Sequence, residues 1–175
     1  MMMVYHGSPA QFEQFDYSKM GTQGTQEGKG FYFTDTPRIA RGYAQGGFLY
    51  SVTWKGIKPL SSEHLTITRN EFKEYLTELD KQTDYLSNWG DVEYEGFSKV
   101  LESALSGEYR YAENDVDLIC GVANACGSEE TALRLAYDIL GFDSIVTSAE
   151  WGGEQTLYIA LVPDAFEIVN VQSVD

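Results

Sequence analysis

Hydrophobic residues recur with two different periods in this sequence, and each period keeps to its own stretches. Residues 3 to 6, 30 to 34 and 48 to 54 alternate or cluster β-branched and aromatic side chains between Gly-rich turns, which predicts strands. From about 68 to 140 the spacing becomes helical. Thr68-Arg69-Asn70-Glu71 reads as a capping box, with Phe72, Tyr75, Leu76 and Leu79 following on one face. Further helices are expected over 96–106, 113–125 and 128–140, the last beginning at Ser128 and stopping at Gly141. Strands return at 144–147, 155–161 and 166–171, the first two joined by the loop from Ser148 to Gly153. A short helix interrupts the N-terminal strands. Asp35-Thr36-Pro37 supplies an N-cap and a first-turn proline ahead of Ile39, Ala40, Tyr43 and Ala44, and Gly46-Gly47 ends it. Sheet, helical block and sheet, without repeat or linker, predict an α+β fold. At 175 residues the expectation is one domain, 1–175, with roughly 68–140 as a helical insertion.

Charge narrows the partners. Twelve Lys and Arg against 27 Asp and Glu leave a net charge of −15, so the long-range field repels phosphate backbones and anionic lipid headgroups. Direct nucleic-acid binding and membrane binding are not expected. A small anion would have to be held by local peptide N–H groups or individually placed arginines. Cys120 and Cys126 lie in a helical stretch without nearby histidines, and only His6 and His64 occur in the chain, too few for a metal set. They read as reduced core thiols, and no metal is expected. No apolar run reaches the roughly 18 residues of a membrane span, and Met1 to Met3 lack the basic and apolar regions of a signal peptide, so a cytoplasmic location is expected.

The residues that carry chemistry begin at Tyr5-His6-Gly7-Ser8, at the end of the first strand. A histidine followed by glycine leaves an imidazole beside a backbone that a planar ligand can approach closely. Gly28-Lys29-Gly30-Phe31-Tyr32-Phe33-Thr34-Asp35 comes next. Its Gly-Lys-Gly lacks the Walker spacing, so a nucleoside triphosphate site is not expected. Taken one at a time, these residues have plainer readings. His6 could be a half-buried strand histidine, Tyr32 and Tyr43 core aromatics, and Glu154 one of many solvated carboxylates.

In order, however, His-Gly-Ser, Gly-Lys-Gly-Phe-Tyr-Phe-Thr-Asp, and Ala40 with Tyr43 resemble the ADP-ribosyltransferases of the His-Tyr-Glu type. That lineage holds the poly(ADP-ribose) polymerases and diphtheria toxin, with compact phage-borne and anti-CRISPR members. The resemblance is close over residues 4 to 50 and looser over 141 to 171, and it leaves the helical block unmatched. It implies split antiparallel sheets around an NAD cleft, with the helical block inserted between N- and C-terminal strands. NAD is implied as substrate, without a metal. His6 would bond the adenosine ribose and help hold the nicotinamide end, and Gly7 would offer its peptide groups to the carboxamide. Tyr32 would line the nicotinamide pocket and Tyr43 stack on the ring, with Ser8 also on the cofactor-binding strand. The family's small hydroxyl residue falls on Ala40, which has none. Arg38 and Arg41, beside it, are candidates for the pyrophosphate, since a guanidinium bonds two phosphate oxygens at once. The third catalytic position falls on Glu154, with Glu150 or Gln155 as alternatives. Trp151 sits where relatives recognise the acceptor, or else packs on the sheet edge. The polar, aromatic run Tyr85 to Tyr94 reads as a cleft lid or a partner surface, and Trp54 as packing.

The implied activity is cleavage of the nicotinamide–ribose bond and mono-ADP-ribosyl transfer to a protein, a glycosyltransferase reaction. A basic, nucleic-acid-binding acceptor would be drawn in electrostatically. The compact size resembles phage effectors that inactivate a host or defence protein, acting in the host cytoplasm. Two alternatives stay open: an NAD glycohydrolase, in which water is the acceptor, and a non-catalytic acidic inhibitor that mimics nucleic acid.

Overall fold

The computed structural model describes residues 1–20, 27–84 and 112–174. The expected helix over 96–106 and the run from Tyr85 to Tyr94 lie outside them. The described residues fall into two compact units, Met1–Pro59 with Asp143–Asp175, and Leu60–Phe142.

The first unit carries β1 (Met2–Ser8), β2 (Phe31–Thr34), α1 (Pro37–Ala44), β3 (Phe48–Trp54), β5 (Ser144–Ala149), β6 (Gln155–Ala160) and β7 (Phe166–Ser173), while β4 (Pro59–Leu60) begins at its last N-terminal residue. The strands are ordered β4-β5-β6-β2-β1-β3-β7. The pairings β1–β2, β1–β3, β2–β6, β3–β7 and β5–β6 are all antiparallel. Residues opposite one another share a face, which sorts the side chains. Val4, His6, Phe31, Phe33, Tyr50, Val52, Tyr158 and Ala160 lie on one face, where an aromatic core forms. Phe12, Phe15, Tyr17 and Met20, from the connection after β1, pack onto that core. Tyr5, Gly7, Tyr32, Thr34, Leu157 and Ile159 lie on the other face, and α1 covers Gly7 there.

The expected elements form close to their predicted ends, for local reasons. Thr36 is the N-cap of α1 and Pro37 its first residue, although the Thr36 hydroxyl donates to Asp35 Oδ1 (2.9 Å) instead of capping the helix. The strand boundaries 31–34 and 48–54 match the aromatic and β-branched runs. Asp143 is buried at the start of β5. Its carboxylate accepts from Ile57 N (2.7 Å), Lys58 N (3.1 Å) and the Ser144 hydroxyl (2.5 Å).

In the second unit, α2 (Arg69–Thr83) opens with the expected capping box. Glu71 N donates to Thr68 Oγ1 (3.3 Å) and Thr68 N to Glu71 Oε2 (2.8 Å). Its buried Phe72, Tyr75, Leu76 and Leu79 each contribute about 1.5–3 kcal/mol of burial. Two helices follow, α3 (Asp115–Ala125) and α4 (Glu129–Asp138), with Asn114 and Ser128 as side-chain caps. The Tyr75 hydroxyl donates to Ala132 O of α4 (3.0 Å). Asp115 is fully buried and accepts from Thr66 N (2.7 Å), the Thr66 hydroxyl (2.5 Å) and Ile67 N (3.1 Å). Cys120 and Cys126 are buried thiols that form no disulfide among the described residues, and burial pushes the Cys126 thiol up, with the Glu129 charge acting in the same direction.

Candidate active site

The site is built around the joint between β1 and β2. These strands share a single register pair, Tyr5 with Thr34. Successive residues of an antiparallel strand direct their peptide groups to alternate sides. Asp35 N donates across to Thr156 O of β6 (3.2 Å), so Thr34 and Tyr32 direct theirs toward β1. Tyr5 and Gly7 correspondingly direct theirs toward β2. Past the Tyr5–Thr34 pair the ladder stops, and the N–H and C=O of Gly7 face a stretch where strand pairing has lapsed.

Across that stretch the imidazole of His6 does what a backbone N–H would otherwise do. Its Nδ1 lies 2.8 Å from Tyr32 O. A carbonyl only accepts, so Nδ1 carries the proton and Nε2 of the neutral ring is left as an acceptor. Burial lowers the His6 pKa below its ordinary 6.5, against the opposing pull of the Tyr32 carbonyl. The rings of Phe12, Phe15, Phe33 and Tyr50 surround it at centroid distances of 5.0 to 6.0 Å.

Gly7 lies directly beneath α1. A Cβ there would overlap Ala40 O and come within 2.7 Å of Ala44 N. Close approach of helix to strand therefore demands a glycine, and it holds the helix carrying Ala40 and Tyr43 against the lapsed joint. Ala40 is buried, and its methyl group brings no hydrogen-bonding atom. Tyr43 is half-buried, its phenol pushed up by burial, and its ring meets Trp151 edge-on at 5.4 Å. Trp151 thus packs against α1, with part of its surface exposed. Gly152 and Gly153 continue along the same helix, against Ile39 and the Arg38 guanidinium. The loop before β6 therefore runs from Tyr43 to Arg38 and delivers Glu154 to the N-terminal end of α1. Arg38 and Arg41 are exposed, and neither makes an ion pair among the described residues.

Not every candidate is gathered equally. Ser8 is buried and closes a local turn, its hydroxyl donating to Ala10 O (2.8 Å) and accepting from Ala10 N (3.2 Å). Tyr32 shares the face of Gly7, but its hydroxyl donates to Gly28 O (2.7 Å) and accepts from Glu27 N (3.2 Å), so its ring leans toward the start of β2. Ile159 is its register partner on β6, five residues past Glu154, so about 16 Å of strand lies between their Cα positions. Glu154 and Glu150 are exposed, and Glu150 O accepts from Gly153 N (3.0 Å). Gln155 is buried; its Nε2 donates to Trp151 O (2.8 Å), and its Oε1 has no hydrogen-bond partner among the described residues. The sequence reading missed Phe12, Phe15 and Tyr50 around His6. A pair of phenylalanines three apart, just after His6-Gly7-Ser8, was the available signal.

Two antiparallel strands that meet at a single register pair, edged by His6-Gly7 and covered by the helix that carries Tyr43, make up the candidate site. The family described as "ADP-ribosyltransferase in polyvalent proteins" matches residues 1–164, and the chain belongs to it. The match runs through the helical block that the resemblance in the sequence had left out. No curated protein and no solved structure matches the chain. Among the described residues no helix is long and apolar enough to cross a membrane, and no group of three or more His, Cys, Asp or Glu is placed to hold a metal ion.

Proposed function

We propose that this domain cleaves NAD at the nicotinamide–ribose bond and transfers one ADP-ribose to a protein acceptor. The observation that carries the reading is the joint between β1 and β2, where paired peptide groups would normally be used up. Gly7 directs an N–H donor and a C=O acceptor into it, the complement of a carboxamide, which has one of each. The narrow joint also favours the split of the sheet that the family resemblance implies. His6 Nε2, held as an acceptor by the Nδ1 bond to Tyr32 O, suits a ribose hydroxyl. Tyr43 offers an aromatic face, and Arg38 and Arg41 offer guanidinium groups for a pyrophosphate.

NAD supplies the leaving group: as the C1′–N bond breaks, nicotinamide departs neutral and positive charge builds on the ribose. The Glu154 carboxylate stabilises that charge, and the acceptor nucleophile bonds to C1′ and gives up a proton. Ala40 brings no hydroxyl to the carboxamide, which places that duty on the peptide of Gly7. The charge of −15 favours a basic, nucleic-acid-binding acceptor, as would suit an effector acting on a host or defence protein in the cytoplasm.

Incubation with labelled NAD and a bacterial lysate tests the reading. Labelled protein is expected, with a loss of about 30-fold or more, roughly 2 kcal/mol, in Glu154→Gln. Loss in Glu150→Gln instead moves the carboxylate role there. Free ADP-ribose without labelled protein identifies a glycohydrolase, and neither product refutes the enzymatic reading.

A further inference from the structure

His6 owes its setting to a segment that lies outside every strand. Residues 9 to 16 cross the aromatic face of the sheet and place Phe12 and Phe15 edge-on to the imidazole, at 6.0 and 5.0 Å. One side chain ties the segment down at that point. The Tyr50 hydroxyl accepts from Phe12 N (2.6 Å) and donates to Phe12 O (3.1 Å), so both peptide groups of Phe12 end on a single phenol oxygen. The rings of Phe12 and Tyr50 also stack, 4.2 Å apart and 11° from parallel. Tyr50 is fully buried and faces His6 across the β1–β3 ladder. A phenylalanine would fill the same space in the core, so the hydroxyl serves the segment and not the packing of β3.

We propose that Tyr50 is a positioning residue for the site: by holding both peptide groups of Phe12, it keeps the 9–16 segment closed over His6 and so fixes the imidazole with Nδ1 bonded to Tyr32 O and Nε2 as an acceptor. That the acceptor serves a ribose hydroxyl rests on the reading given above; the clamp itself does not. With the clamp in place, the ring stays packed among the aromatic side chains, and of the two neutral tautomers only the one with Nδ1–H meets the Tyr32 carbonyl. With the clamp released, water reaches the imidazole, protonation becomes easier, and the doubly protonated ring loses its acceptor.

The chain has two histidines, so the His6 resonances need be distinguished only from those of the exposed His64. The titratable groups on the elements packed against the imidazole are Tyr5 of β1, Tyr32 of β2 and Tyr50 of β3, with Glu13 and Asp16 on the covering segment and Asp35 just after β2. The last three are exposed, and Asp16 is already held below the ordinary carboxylate range by the Ser18 hydrogen bonds. NMR titration of the imidazole resonances in the full chain is the test. In the parent, His6 is expected to titrate below its ordinary value of 6.5 and to show the Nδ1–H tautomer at neutral pH. In Tyr50→Phe its midpoint moves up toward 6.5 and the tautomer preference weakens, while Val52→Ala, on the same core face but with no hydroxyl to hold the segment, leaves both unchanged. If Tyr50→Phe does not fold, Phe12→Ala, at a half-buried position on the segment, is expected to give the same shift. A His6 midpoint and tautomer unaltered in the folded variant overturn the proposal, as does an equal shift in Val52→Ala. These readings need no NAD, so an inactive protein with the expected shifts refutes the transferase reading and leaves the clamp standing.

Discussion

Gly7, in β1 beneath α1, and Gly42, within α1 itself, should respond to alanine in opposite directions. At Gly7 the added methyl group overlaps Ala40 O and lies 2.7 Å from Ala44 N, both backbone atoms of α1. Neither can swing aside like a side chain, so the helix must lift from β1. Overpacking of a core costs about 1–3 kcal/mol, and contact with backbone puts Gly7→Ala at the upper end, about 3 kcal/mol. At Gly42, inside α1, a Cβ meets nothing within 4 Å. There alanine gains only its better helix propensity, about 1 kcal/mol. For a chain of this length a change of 1 kcal/mol moves the midpoint by about 2–4 °C. Thermal unfolding followed by circular dichroism should therefore lower the Tm of Gly7→Ala by about 6–12 °C and raise that of Gly42→Ala by about 2–4 °C. A Gly7→Ala protein that melts with the parent, or a Gly42→Ala protein that falls as far as Gly7→Ala, would refute the claim that strand and helix touch here.

The buried carboxylates give further tests. Asp143→Ala strands the Ile57 and Lys58 amides and the Ser144 hydroxyl, a loss of about 3 kcal/mol or more in urea unfolding. Asp115→Asn keeps the shape but turns an amide toward the donors from Thr66 and Ile67, costing about 2 kcal/mol. The depressed pKa of His6 predicts a pH effect: below 6.5 the unfolded chain binds a proton that the folded one refuses. Stability should thus be independent of His6 above that pH and fall as pH drops from 6.5 toward the folded pKa. His6→Gln should remove this part of the slope, and an unchanged slope between pH 6.5 and 5 would show that His6 is not desolvated.

The elements were legible because their signals are local. Thr68 with Glu71, Ser128 before Glu129, and Pro37 after Thr36 each mark a helix start within one turn. Gly28-Lys29-Gly30 looked like a fragment of a phosphate loop. The structure gives it a packing reason: a Cβ at Gly30 would come within 2.5 Å of Ala160 O and 2.6 Å of Ile159 Cγ2 on β6. Asp115 and Asp143 were hidden among 27 acidic residues, since nothing in their neighbours distinguishes a buried anchor from a solvated charge.

What sequence order could not convey was register. His6, Gly7 and Tyr32 can be named from a motif, but that Gly7 turns its peptide groups toward β2 follows only from the Tyr5–Thr34 pair and the Asp35–Thr156 bond. The same pairing decides the reach of Glu154. A motif places a glutamate before a strand, whereas the β2–β6 ladder sets it level with the N-terminal end of α1, five residues from the partner of Tyr32. A one-residue slip in that ladder would turn Leu157 and Ile159 to the aromatic face and carry Glu154 about 3.3 Å along β6. Two buried leucine-sized side chains thus oppose any slip. The geometry of the proposed chemistry is consequently held by core residues that take no part in it, and it is there that substitutions distant from NAD would alter transfer.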